Sequence, residues 1–223
     1  MTRPDVPHVL VIGAGPGLGA SIARRFGREG FAVTLVARRE SNLADLAAEL
    51  AGTGVRVDTV AADAADPHRF RTVLEGLAAS VTPGVVVYNA AVVARDGILD
   101  SDVDHLLAAY AVDVLGAVSA AQVFTPAMRA VGAGTFLATS GSPGVHPEPW
   151  HASLSLGKAA LRSTVSLLHD ELTADGVHVT CVTVAGTIAS GTSFEPDLIA
   201  DAYWDLHAQP PARWTAERVF DGR

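Results

Sequence analysis

The segment S-L-S-L-G-K-A-A-L-R-S, residues 153–163, carries Lys158. It is the one lysine in a chain of 223 residues; every other member of its 16 Lys and Arg is an arginine. Leu154 stands one helical turn earlier on the same face, where a pair at i, i+4 would meet. An ammonium group kept at one position beside a side chain with no exchangeable proton points to binding a ligand rather than to passing a proton to its neighbour. A second chemical signal lies in V-I-G-A-G-P-G-L-G, residues 11–19. It follows a strand pattern and opens a helix pattern, the context in which glycines let a backbone approach a pyrophosphate at a helix N-terminus. Two spacings fit: Gly15, Gly17 and Ala20 as G-x-G-x-x-A, or Gly13, Gly17 and Gly19 as G-x-x-x-G-x-G, with Leu18 inside the turn.

The elements that must position these groups are short β-branched runs alternating with longer helical patterns. Strands are expected at 8–12, 31–36, 55–60, 84–88, 134–138 and 177–184. Most are apolar throughout, as parallel strands buried on both faces require. Helices are expected at 18–29, 40–51, 67–79, 102–131 and 152–174. The alternation implies right-handed crossovers and an α/β doubly wound parallel sheet with helices on both faces. With no repeat or linker, the chain reads as a single domain over residues 1–223. An amphipathic helix at 194–207 and a short last strand at 214–220 complete it.

The second glycine spacing resembles that of the short-chain dehydrogenase/reductase family, and four later segments extend the resemblance from about residue 8 to residue 191. A-A-D-A, residues 61–64, follows the third strand, where the family's aspartate meets the adenine. Y-N-A-A, residues 88–91, resembles Asn-Asn-Ala-Gly. V-A-G-T-I-A-S, residues 184–190, resembles the Pro-Gly-x-x-x-Thr stretch that holds the nicotinamide amide, and G-K-A-A-L matches Ser-Lys-Ala-Ala-Leu of the active-site helix. The resemblance implies a three-layer Rossmann fold. It also implies cofactor contacts from Gly13, Gly15, Gly17, Leu18, Gly19, Asp63, Ala64, Asn89, Ala90, Ala91, Thr139, Gly186, Ile188 and Ser190, with Lys158 bonding the nicotinamide ribose. The second strand ends L-V-A-R-R-E. Ala37 replaces the acid that accepts from an NAD ribose, and Arg38 and Arg39 follow, so a guanidinium is placed to fork onto a 2'-phosphate. The expected cofactor is NADP(H), with Glu40 as a competing partner for an arginine.

Carried over position by position, most of the family's catalytic set is missing. The tyrosine four before the lysine is Leu154, the serine thirteen before that is Gly141, and the helix asparagine is Asp113. A general acid or base contributes about 10²–10⁴-fold, whereas holding the reactants together is a separate and often larger effect. The loss weakens carbonyl reduction without removing hydride transfer. Ser140 and Ser142, which flank Gly141, are the candidate oxygen binders; Asp113 is a candidate ion-pair partner for Lys158 or, alternatively, a buried acid. His151 is a candidate titrating group, Ser153 a candidate helix cap and Tyr203 a contact from the covering helix. Pro147, Pro149, Trp150, Leu154, Phe194 and Trp204 are candidates for an apolar substrate wall, with residues 193–213 as a reduced lid. Val112, Val114, Val118, Leu161, Val165 and Leu168 offer apolar faces for a homodimer or homotetramer.

The formal net charge of -8 argues against nucleic acid or an anionic membrane surface as the main partner. A single cysteine, Cys181, fits a reducing compartment. No apolar run reaches the length of a membrane span, and residues 1–5 lead straight into a strand pattern without a leader, so the expected location is cytoplasmic. No metal site is expected. Three readings follow: an NADP(H)-dependent oxidoreductase of unusual mechanism acting on a small molecule, a non-catalytic NADP(H)-binding sensor or partner subunit, and a non-redox enzyme such as an isomerase, dehydratase or cyclase.

Overall fold

The computed structural model describes residues 6–39 and 41–223, apart from the side chain of Asn42. Seven strands form one parallel sheet in the order β3-β2-β1-β4-β5-β6-β7. They are β1 His8–Ile12, β2 Ala32–Ala37, β3 Val57–Ala61, β4 Val85–Tyr88, β5 Gly134–Gly141, β6 Val177–Val184 and β7 Glu217–Phe220. The order reverses between β1 and β4, which both pair with one another and lead outward in opposite directions. A crevice opens at the carboxyl ends of the strands at such a point. The strands fall near where apolar runs predict them, because β1, β2, β4, β5 and β6 are buried almost throughout, polar members such as His178 and Thr180 of β6 included.

Alternate strand residues feed two cores. Val9, Val11, Val33, Leu35, Val85, Val87 and Leu137 face one layer of helices. Leu10, Ile12, Val86, Tyr88, Phe136 and Ala138 face the other. On the first side lie α1 Leu18–Arg28, α2 Ser41–Gly52 and α7 Pro196–His207; on the second lie α3 Pro67–Ala78, α5 Gly116–Val131 and α6 Ala152–Leu172. Glu40, expected both in a helix and against an arginine, lies outside the described residues.

The expected single helix at 102–131 is instead α4 Val103–Tyr110, a π turn Ala111–Leu115, and α5. The cause is a hydroxyl inserted into the helix ladder. The Gly116 N–H reaches back to the carbonyl of Ala111 rather than of Val112. The freed Val112 carbonyl accepts the Tyr88 hydroxyl, and Gly116 has no side chain to obstruct that ring. The continuous run Val103–Val131 is long and apolar enough to cross a membrane by length and composition, contrary to the reading of the sequence alone, and half of that apolar window is buried in the domain.

The region 193–213 differs from the expected lid. α7 buries Ile199, Ala200, Ala202, Tyr203 and Leu206 in the core, and Trp204 packs edge-on to Phe26 of α1 and to Phe31. The helix is therefore a structural layer, and Trp204 belongs to its packing on α1, not to a substrate wall. Val114, Leu161 and Val165, expected on an oligomer face, are buried within the chain's own core, with Val112 and Leu168 packed against it.

Candidate functional site

The glycine turn divides its residues by role. Gly13 has φ +90°, and a Cβ there would stand 2.4 Å from the Ala90 nitrogen. It must be glycine so that the β1 turn can press against the end of β4. Gly15 and Gly17 are different: a Cβ on either would meet no protein atom within 4 Å. Gly17 is the N-cap of α1 and contributes no side-chain cap, so no side chain occupies the first amides of α1, those of Leu18 and Gly19, at the positive end of the helix. Both glycine spacings in the sequence thus have a physical basis, one set for packing and one for approach by a ligand.

A cleft of about 470 Å³ begins at this turn and runs along the strand ends, lined by Gly13, Gly15, Ala37, Arg38, Asp63 and Asn89 among others. Ala64, Ala90 and Ala91 also line it. Arg38 and Arg39 are exposed at the end of β2. Asp63 is exposed, and its carboxylate accepts from the Ala65 N–H. Asn89 ties the walls together. Its amide donates to the Gly13 carbonyl (2.9 Å), and its oxygen accepts from the Thr139 hydroxyl (2.7 Å). Thr139 also meets the Tyr203 hydroxyl at 2.6 Å. Tyr203 is fully buried, so it supports the cleft from behind and contacts no substrate. Burial pushes its phenol well above the usual range.

Lys158 is buried, and its Nζ donates to the Thr139 carbonyl at 2.6 Å. Burial lowers its pKa, while the charge of Asp113 acts in the opposite direction. Asp113 lies in the π turn with no exposed surface. One carboxylate oxygen accepts the Val92 N–H at 2.7 Å; the other has no hydrogen-bond partner. Burial raises this carboxyl to about 6 against the pull of Lys158 and the Val92 N–H.

Gly141 ends β5, and a Cβ there would meet only ordinary contacts, with Pro143 Cδ at 3.5 Å and the Val184 carbonyl at 3.7 Å. The Ser140 hydroxyl is buried without a partner; Ser142 opens a half-buried 3-10 turn, Ser142–Gly144. Leu154 lies in the first turns of α6 with only its margin exposed. Trp150 is 61% exposed and His151 pairs with Glu148 at 2.9 Å; neither lines the cleft at the glycine turn. Phe194 covers Gly186, where a Cβ would strike its ring, and packs 6.0 Å from Phe220. Ile188 and Ser190 lie exposed in the segment after β6.

Asp96 was not visible from the sequence. It reaches from the β4–α4 loop to the start of α6, where its Oδ1 accepts the Ser153 N–H at 3.2 Å and its Oδ2 pairs with His105 at 2.8 Å. Ser153 is therefore capped from elsewhere in the chain and does not itself cap the helix. No short spacing marks such a cap, because its two residues are 57 apart. A second hollow of about 580 Å³, lined by Arg95, Asp96, Asp100, His105, Pro149 and Trp150 among others, lies outside this staple and away from the glycine turn. Among the described residues no cluster of His, Cys, Asp and Glu could hold a metal ion.

Residues 7–195 match the family model described as short chain dehydrogenase. The very-long-chain 3-oxoacyl-CoA reductase of Phaeosphaeria nodorum is 27% identical over 187 residues, covering 80% of this chain and 54% of that protein. Sulfoacetaldehyde reductase 2 of Chromohalobacter salexigens is 31% identical over 179 residues, covering 78% and 70%. The chain thus spans about half the length of the first of these relatives. A metagenomic short-chain oxidoreductase solved in complex with NADP superposes with a TM-score of 0.87 at 27% identity, covering 95% of this chain and 96% of that one.

Proposed function

The chain belongs to the short-chain dehydrogenase family, and from that premise we propose that it binds NADP(H) at the glycine turn and transfers a hydride to or from an apolar carbonyl or conjugated substrate without the family tyrosine. The observation that carries this is the open approach to Gly15 and Gly17 at the N-terminus of α1, in a cleft that has Arg38 on its lip. NADP bound to a structural relative at 27% identity supports the choice of cofactor.

In this reading the α1 amides receive the pyrophosphate and Arg38, with Arg39 beside it, forks onto the 2'-phosphate. Lys158, held by the Thr139 carbonyl, keeps N–H donors for the nicotinamide ribose. NADPH, when bound, supplies the hydride. Leu154 offers no proton and Gly141 no hydroxyl, so Ser140 and Ser142 hold the substrate oxygen and the proton comes from a group other than a tyrosine. Conjugated acceptors lose least under this arrangement, since their reduced products can take a proton from water. The same two positions favour a second reading, a nucleotide-binding protein without turnover.

The cellular setting belongs to the same proposal: a cytoplasmic homodimer or homotetramer. Because Val114, Leu161 and Val165 face inward, the contact falls on the exposed Val103, Leu107, Tyr110 and Leu156, which border an apolar hollow.

The test is a fluorescence titration with NADPH and NADH, followed by absorbance at 340 nm with ketones, quinones and enones. NADPH binding with oxidation by any acceptor supports the oxidoreductase. Binding without oxidation selects the second reading. Absence of nucleotide binding overturns both.

A further inference from the structure

An unpartnered carboxylate oxygen and an ammonium group with donors to spare are both buried where the π turn meets α6, one residue apart along the helix surface and without a direct ion pair between them. Asp113 has no exposed surface, and its Oδ2 has no donor. It lies against the backbone of Gly157: a Cβ at that position would stand 2.4 Å from Oδ2. Lys158 is the next residue of α6, is 5% exposed, and donates to the Thr139 carbonyl alone among the described residues. Two choices in distant parts of the sequence therefore converge. Gly157 opens the surface of α6 to a carboxylate, and the π turn carries one to it.

A buried ammonium ion is costly without an opposite charge, and a buried carboxylate equally so. We infer that Asp113 is the counter-charge that keeps Lys158 an ammonium ion inside the fold, so that the two residues form one coupled acid–base pair and Asp113 is a positioning residue for the lysine's charge. What that charge faces rests on the nucleotide reading above; the pairing itself does not.

The groups surrounding the pair agree in direction. Burial raises Asp113, Lys158 and the Val92 N–H lower it, and Asp96 in the β4–α4 loop raises it. From β4, the neutral Tyr88 faces Asp113, whose charge further raises an already buried phenol. Burial lowers Lys158, Asp113 raises it, and Cys181 on β6 adds a smaller upward effect. Cys181 itself is raised to about 11 by burial, so it stays a thiol at neutral pH. Beyond it, Arg162 and Glu217 are paired with one another at 2.7 Å. Asp113 is thus the acid that answers Lys158, and Lys158 the cation that answers Asp113.

The chain's single lysine makes the test direct. Protein labelled with ε-13C-lysine gives one lysine resonance without assignment, and it is followed against pH in the absence of nucleotide. The wild-type signal is expected to show a small step near pH 6, where Asp113 takes up a proton, and the lysine's own titration supplies the midpoint against which the variants are compared. Asp113→Asn keeps an acceptor for Val92 and removes the charge, and the lysine midpoint is expected to fall by about 1–3 pH units. Asp113→Glu is expected to restore part of the shift, and Asp100→Asn, in the outer hollow, to leave the curve unchanged. An unshifted midpoint in folded Asp113→Asn overturns the inference. If that variant does not fold, a wild-type curve with no step near pH 6 overturns it and a curve with the step supports it. Failure of NADPH to bind would sink the function proposed above and leave this result standing.

Discussion

A methyl group on Gly19 would stand 2.3 Å from the carbonyl oxygen of Gly13. The two glycines hold the turn closed against itself, whereas Gly15 and Gly17 border open space. Substitution should separate these roles. Gly19→Ala forces backbone to move and is expected to cost about 1–3 kcal/mol in urea unfolding, as overpacking does. Gly17→Ala should leave stability within about 0.5 kcal/mol yet lower NADPH affinity at least tenfold. Unchanged affinity in Gly17→Ala would remove the turn from the nucleotide site.

On the proposed reading, Arg38 is the residue that should distinguish the two nicotinamide cofactors. A charge-assisted contact contributes roughly 1.5–3 kcal/mol, or about 10- to 150-fold in affinity. Arg38→Ala should lose that much affinity for NADPH in a fluorescence titration and almost none for NADH. Equal losses for both would place the guanidinium away from the 2'-phosphate.

On the proposed reading, a proton donor at position 154 is open to reconstruction. A side chain on Gly141 meets only ordinary contacts, and Leu154 stands one turn from Lys158 on α6. The double variant Gly141→Ser, Leu154→Tyr is expected to raise ketone reduction by about 10²–10⁴-fold, the usual contribution of a positioned general acid. The check is kcat/KM at 340 nm. A folded double variant that binds NADPH and gains nothing would show that geometry beyond these two positions limits the reaction.

His178 gives stability a pH dependence. It is buried, stacks on Trp214 at 4.8 Å, and its ring nitrogens face the carbonyls of Leu206 and Thr215. Burial pushes it down to about 4 from 6.5, and also lowers His8 and His207. The unfolded chain therefore binds protons first as pH falls. Stability is full above about pH 6.5 and declines toward pH 4, by about 1.4 kcal/mol per pH unit for each fully affected histidine. Urea unfolding at pH 7.5, 6 and 5 should follow this slope, and His178→Phe should flatten it. A slope unchanged in a folded His178→Phe variant would exclude this histidine.

The strands and the glycine turn were legible because local pattern and burial agree there: β1 and β6 begin and end where the apolar runs do. Long-range causes were not. The break in the helix at Ala111–Leu115 depends on a hydroxyl from Tyr88, and the cap on α6 comes from Asp96. α7 was read as a lid because an amphipathic helix does not declare what its apolar face covers; here it covers α1. The same ambiguity sent Val114, Leu161 and Val165 to an oligomer face when they fill the core. Lys158 was legible as chemistry, and the aspartate of A-V-D-V-L-G as a candidate ion-pair partner for it; the π turn that carries Asp113 against the backbone of Gly157 was not, since no local pattern signals it.

Thr139 has a consequence for how far a surface change can be felt. Its hydroxyl serves the layer containing α7, through Tyr203, while its carbonyl receives a lysine from α6 in the opposite layer. The sheet between those layers is one backbone thick. A displacement of α7 therefore has a mechanical route to the ammonium group across a single residue, with no side chain of either helix touching the other along it.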